Sequence, residues 1–320
     1  MHQTKPVRPS RFAVAACRAA RLSCLFGLAG LAGLANNTAA AADSLTLKRI
    51  AETGIISIGF RDASVPFSYL DERQRPVGYT MDICMHIVEA VKRRLKLPDL
   101  TVKLTPVTSA TRMPMLVNQA VDMECGSTTN TLERQETVAF LTTTFIATGR
   151  LLSKQSARID GLEDLRGQAV ISTAGTTSMR NLVALNAARG LQMRILAGRD
   201  HAESFRLVDT DRAVAFAMDD VLLYSLAAMT KRPAAYHIST EALSIEPYGI
   251  VVRRNDPEFK RLGDEVITGL FGSGEIGRIY QRWFQSPIPP RQINLKLPMS
   301  APLMKAIVQP TDSGDPAHYR

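Results

Sequence analysis

Several short stretches bring together hydroxyls, guanidinium groups and carboxylates. Ser109 and Arg112 come first, then Ser127-Thr128-Thr129 with Arg134, then Gly175-Thr176-Thr177-Ser178, and finally Asp219-Asp220. Hydroxyls and the planar guanidinium fork hold a carboxylate through charge-assisted hydrogen bonds. A carboxylate at Asp219 can answer an ammonium group, so the set offers the opposite signs that a zwitterionic amino acid requires. None of these hydroxyls has an activating base beside it, which argues against nucleophilic catalysis. HExxH, GxSxG, P-loop and CxxC patterns are absent, which weakens metalloprotease, hydrolase, nucleotide and zinc hypotheses together. No metal or cofactor is expected.

Plainer readings stand beside these. Ser, Thr and Asp at helix starts are ordinary caps. Arg112 and Arg134 would serve as solvated surface charges, His201 after Asp200 as a cap or surface residue, and Met113, Met115, Met123 and Met218 as core. The functional reading requires elements that make the polar stretches converge.

Such elements are present in the pattern. Residues 55–60 read as a strand, and 78–96 carry Ile83, Ile87, Val88, Val91 and Leu95 at helical spacing. Strand 101–105, helix 111–119, strand 121–124 and helix 131–138 follow, with Pro114 tolerated in a first turn. The alternation resumes with strand 169–172, helix 177–188, strand 193–197, helix 202–209, strand 213–218 and helix 221–230. Two such runs imply two mainly parallel sheets covered by helices. Ligands of such sheets sit beyond the C-terminal strand ends, where helix N-termini favour anions. The polar stretches fall at those junctions. Segments 144–152 and 248–252 lack an immediate covering helix and read as crossings between two lobes, while helices 257–270 and 275–284 return to the first. From Ser286 onward the proline-rich chain reads as extended.

The N-terminus has its own logic. Lys5, Arg8, Arg11, Arg18 and Arg21 precede an apolar run at 22–35 that is short for a membrane span, and small residues at 38–42 suit a signal peptidase. Cleavage is expected after Ala42, giving an exported, periplasmic chain. Cys24 lies before the apolar run and in a poor lipobox, so lipidation is not expected. The whole chain has 320 residues and a formal charge of +9; without the leader, 34 basic residues face 30 acidic ones, a formal charge of +4. No basic stripe with interleaved aromatics remains, so nucleic acid is not an expected partner. Cys84 and Cys125 are too few for a disulfide scaffold, and spacing alone leaves their pairing open.

At these same positions the chain resembles the glutamate/aspartate-binding proteins of the family 3 bacterial solute-binding proteins. The resemblance runs from about residue 45 to 310 and rests on Arg61-Asp62-Ala63-Ser64-Val65-Pro66-Phe67-Ser68-Tyr69, on Glu124-Cys125-Gly126-Ser127-Thr128-Thr129-Asn130 with Glu133-Arg134-Gln135, and on Ala215-Phe216-Ala217-Met218-Asp219-Asp220. Arg61, Asp200-His201 with Ser204-Phe205-Arg206, and Ile288-Pro289-Pro290 point to the acidic-amino-acid branch.

The resemblance implies a type II periplasmic-binding-protein fold, two α/β lobes joined by two crossing segments. Lobe 1 would comprise 43–144 and 250–320, the hinge 145–149 and 246–249, and lobe 2 residues 150–245. It further implies that Arg134, Thr129 and Thr177 hold the α-carboxylate, Asp219 and Ser127 the α-ammonium, and Arg61, Ser109, Arg112 and His201 the side-chain carboxylate. Ala110-Thr111 stands where that branch is often more amide-rich, leaving glutamate against aspartate open. The expected role is a monomeric carrier that closes on its ligand and delivers it to the membrane permease of an ABC importer. The alternative is a periplasmic dehydratase of the cyclohexadienyl or arogenate type on the same fold, which needs a positioned acid or base. A receptor's sensing domain would require a downstream signalling segment, and none is read in this sequence.

Overall fold

The computed structural model describes residues 44–320; the expected leader at 1–42 lies outside the described residues. The helix Leu45–Thr53 opens on Ser44, whose side chain accepts from the Leu47 N–H, and stops at Gly54 in the left-handed conformation. After the strand Ile55–Phe60 comes the helix Tyr79–Leu95, which buries Ile83, Ile87, Val88 and Val91 along one face. Gly78 at its start has φ 142°, and a Cβ there would lie 2.2 Å from the Phe67 carbonyl oxygen, so only glycine lets the helix begin so close to that loop.

Two large sheets result. The first runs in the order 101–106, 55–60, 123–125, 251–253, 138–140; its first three strands are parallel, and 251–253 is antiparallel to both neighbours. The second runs 194–198, 169–173, 215–219, 145–154, 236–238, and again three parallel strands meet an antiparallel one. The strands Phe145–Lys154 and Ser244–Tyr248 pair antiparallel with each other, Phe145 opposite Tyr248 and Gly149 opposite Ser244. The expected crossing 144–152 thus pairs with 244–248 as one ribbon. Of the expected crossing 248–252 only Tyr248 joins this ribbon, because Val251 and Val252 pair into the first sheet.

That ribbon is anchored in an aromatic group. Phe145 stacks on Phe284 at 5.1 Å, Tyr248 meets Phe67 edge-on at 5.1 Å, and the Tyr79 hydroxyl donates to the Thr144 carbonyl at 2.8 Å. Such aromatic pairs contribute about 0.5–1.5 kcal/mol each beyond their buried area. A disulfide joins Cys84 of the long helix to Cys125 at the end of the strand Met123–Cys125.

Some local expectations change. The expected helix 131–138 is only Leu132–Gln135, because Val138–Phe140 is drawn into the first sheet beside Val251–Arg253. The tail is not extended throughout: Ala301–Val308 is a helix, its start capped by Ser300 and its Pro302 placed in the first turn, where a missing N–H costs nothing. Its Ala306 and Tyr319 pack on Ile146 of the ribbon, and Tyr319 shares a 2.7 Å hydrogen bond with Thr143. Met123 and Met218 are core, as the plainer reading had it, while Met113 and Met115 are partly buried.

Candidate functional site

Arg61 leaves the end of the strand Ile55–Phe60, its N–H donating to Ser68 Oγ at 2.9 Å. The side chain is fully buried, yet Nε, Nη1 and Nη2 find no hydrogen-bond partner among the described residues. Arg112 opens the helix Arg112–Val117 and is also buried; its Nη1 donates to the Ser127 carbonyl at 3.3 Å and to Thr128 Oγ1. Ser109 Oγ and Ser127 Oγ, both buried, have no partner either. Burial, and then the neighbouring Arg112, lower the Arg61 guanidinium to about 10, with Glu124 opposing. It therefore stays charged at neutral pH. His201 opens the helix His201–Asp209, buried, with Nδ1 and Thr173 Oγ1 2.9 Å apart. Burial and the two arginines hold its pKa well below the usual range, so the ring is neutral.

An acidic group lies on the other sheet. Asp219 ends the strand Ala215–Asp219, accepting from Ser178 Oγ at 3.0 Å and from the Tyr248 hydroxyl. Glu246, on the ribbon, accepts from Thr177 Oγ1 at 2.6 Å and from Asn181 Nδ2 at 3.4 Å. Burial first, and Glu246 second, push the Asp219 carboxyl up to about 8, against the two hydroxyl donors. An uncompensated acid is costly in so dry a place, and the proton relieves it.

The two sheets meet between these groups. Arg134 Nη1 donates to the Thr129 carbonyl at 2.7 Å and Nη2 to the Gly175 carbonyl at 3.2 Å, linking loops of the two sheets. Burial, then Arg112 and Arg180, lower its guanidinium to about 9. Thr129 and Thr177 hydroxyls stand 3.3 Å apart. Gly175 has φ 76° and lies against Ala110, where a Cβ would fall 2.7 Å from the Ala110 Cα. A cavity of about 610 Å³ adjoins this contact, lined by Thr129, Thr177, Arg180, Asn181 and Glu246 among others.

Of the nine residues singled out in the sequence, hydrogen bonds tie Arg112 to the Ser127 carbonyl and link Arg134, Thr129 and Thr177. Charge couples His201 to Arg61 and Arg112, and Arg112 to Asp219; only Thr129 and Thr177 line the cavity. The capping reading is right for Thr176 and Asp200, which accept from Met179 and Glu203 N–H groups, but Thr177 and His201 are the buried first residues of their helices. Arg112 is not a solvated charge. Three neighbours of these groups were missed: Glu124, buried and coupled by charge to both Arg61 and Arg112, and Glu246 and Tyr248 beside Asp219, where Ser178 of the hydroxyl-rich stretch also donates. Glu124 sits inside a quoted motif, but its own alternation reads simply as strand. Among the described residues no group of His, Cys, Asp or Glu side chains is arranged to hold a metal, and no helix is long and apolar enough to cross a membrane.

Residues 56–286 match the family described as bacterial extracellular solute-binding proteins, family 3. An L-glutamate/L-aspartate-binding protein of Pseudomonas aeruginosa is 49% identical over 85% of this chain and 91% of its own length. A glutamate/aspartate import solute-binding protein of Salmonella typhimurium is 46% identical over 87% of this chain and 92% of its own. Among solved structures, an ancestral arginine-binding protein bound to glutamine superposes with a TM-score of 0.65 at 25% identity, covering 72% of this chain and 98% of its own.

Proposed function

The chain belongs to family 3 of the bacterial extracellular solute-binding proteins, and we propose that within it this protein binds L-glutamate or L-aspartate between two closing lobes and delivers it to the permease of an ABC importer. The single observation behind this is the charge layout. Two buried guanidinium groups, one with all three nitrogens unpartnered among the described residues, stand on the first sheet's side, and the buried Asp219 carboxyl of the second sheet acts by charge on one of them, Arg112. An acidic amino acid carries an anion for each end and an ammonium between.

In this assignment Arg134, Thr129 and Thr177 take the α-carboxylate. Asp219 and Ser127 take the α-ammonium, with Glu246 adding negative potential and Tyr248 and Ser178 orienting Asp219. Arg61, Arg112, Ser109 and neutral His201 take the side-chain carboxylate. The likeness to relatives named for glutamate and aspartate supports the same ligands here. Export to the periplasm after cleavage near Ala42, and action as a monomer, complete the proposal.

Closure would bend residues 145–149 and 246–249, with 43–144 and 250–320 moving as one lobe and 150–245 as the other. The ribbon's antiparallel pairing suits a hinge of two coupled segments. The dehydratase reading fares worse. The protonated Asp219 is a possible acid, but both its oxygens already serve Ser178 and Tyr248, and the relatives are named as binding proteins. Small-angle scattering of residues 43–320 with and without L-glutamate, followed by analysis of the recovered ligand, tests the proposal. Compaction with intact glutamate is expected. Calorimetric binding without any change in radius of gyration would count against closure, and turnover of a supplied prephenate-like acid would favour the enzyme.

A further inference from the structure

The wall that carries Arg61 and Arg112 also carries Glu124, a carboxylate left unused by the ligand contacts assigned above. It lies on the strand Met123–Cys125 and is only 1% exposed. Oε2 accepts from Thr128 Oγ1 at 2.6 Å, and the same hydroxyl receives Arg112 Nη1, while Oε1 has no partner among the described residues. A Cβ on Gly126 would fall 2.3 Å from Oε1 and 2.8 Å from Arg61 Cγ, so the bare glycine backbone is what lets Glu124 and Arg61 lie side by side. Pairing of Glu124 with Gly59 and Val251, and the disulfide at Cys125, fix the strand that carries it.

The charges in this wall can be counted. Among the buried side chains, Arg61 and Arg112 bring two positive charges, Glu124 one negative, and His201 none, because burial and the arginines keep it neutral; Asp62 and Asp200, which also act on Arg61, stand nearer solvent. Water is excluded from all four side chains, so any mismatch with the ligand is felt at low dielectric. We propose that Glu124 sets this subsite to one net positive charge, so that it selects a single negative charge on the ligand side chain and rejects a doubly charged head of the same shape. This rests on the side-chain assignment of the proposed function and narrows its substrate class. A dianion would leave a net negative charge buried beside the Glu124 carboxylate, whereas a monoanion closes the balance.

An isosteric pair of ligands isolates charge from size. L-serine O-sulfate and O-phospho-L-serine have the same length and the same tetrahedral head; at about pH 8, above the phosphate second pKa of about 6, one head carries a single charge and the other two. Their affinity ratio, measured by calorimetry at one pH, cancels the shared α-groups and any titration of Asp219. Residues 43–320 should bind the sulfate ester at least about tenfold more tightly. Glu124→Gln should narrow or reverse that ratio by about tenfold, and Glu124→Asp should keep it. A wild-type ratio at or below unity overturns the inference, as does a folded, glutamate-binding Glu124→Gln variant with the wild-type ratio. Rejection of both esters alike also overturns it, since size would then be the filter. Should the Gln variant not fold, the wild-type and Asp ratios decide. Failure of the wild type to bind L-glutamate would bring down the proposed function as well, whereas glutamate binding with a ratio of unity brings down this inference alone.

Discussion

Binding of an amino acid at Asp219 should expel a proton. With the two sheets in contact and no ammonium present, burial first and Glu246 second push this carboxyl up to about 8, so part of it carries a proton at about pH 7. An ammonium seated against it favours the carboxylate, and its pKa falls in the complex. The linkage sign follows: where the free protein holds more protons than the complex, affinity rises with pH. A fraction of a proton should therefore leave per ligand at about pH 7, and the dissociation constant should worsen as pH falls below that. Above the Asp219 pKa the dependence flattens until the ligand's own ammonium titrates. Calorimetry with L-glutamate in two buffers of different ionisation enthalpy reads the proton count directly. Asp219→Asn should abolish the release while Glu246→Gln reduces it, because removing the neighbouring charge lowers the free-state pKa. A proton count near zero in the wild type at neutral pH would refute the reasoning.

Other outcomes follow from the same geometry. Arg61→Met and Arg112→Met should cost glutamate more affinity than glutamine, whereas Arg134→Met should weaken both; equal losses at Arg61 and Arg112 in calorimetric titrations would overturn the side-chain assignment. Asp219→Ala should weaken glutamate by about 2–5 kcal/mol, the usual cost of truncating one partner of a buried charge pair, and a variant within about threefold of wild type would remove Asp219 from the site. Reducing Cys84–Cys125, whose cysteines are 41 positions apart, should lower unfolding stability by about 4 kcal/mol in denaturant titrations. The raised Asp219 pKa contributes stability to the ligand-free fold that is fully present below about pH 4 and is lost as pH rises through about 8; Asp219→Asn should flatten that part of the stability curve measured by thermal denaturation.

Much of the frame was legible because its signals are local. Apolar runs and helical spacing marked both alternating halves, and hydroxyl-rich stretches at Ser127–Thr129 and Gly175–Ser178 fell where strands turn into helices. Arg61 was legible only through the family resemblance. A lone arginine after an apolar strand reads as solvated, and nothing nearby in sequence shows that Ser68 and Gly126 close over it. Glu246 was missed for a topological reason: Asp219 and Glu246 flank the same strand, opposite Gly149 and Ala147, although they stand far apart in the chain. The Val138–Phe140 strand is too short for its own period to speak and exists through its pairing with Val251–Arg253. In the tail, frequent proline hid a helix whose start depends on Ser300 and on one proline placed in the first turn.

The central claim is that two buried guanidinium groups select an acidic side chain, and the ratio of dissociation constants for L-glutamine and L-glutamate on one preparation of residues 43–320 tests it most directly. Glutamine offers Arg61 and Arg112 a neutral amide where glutamate offers a charge, so calorimetry should show glutamate tighter by at least about thirtyfold, equivalent to about 2 kcal/mol. Affinities within about threefold of each other would contradict the account.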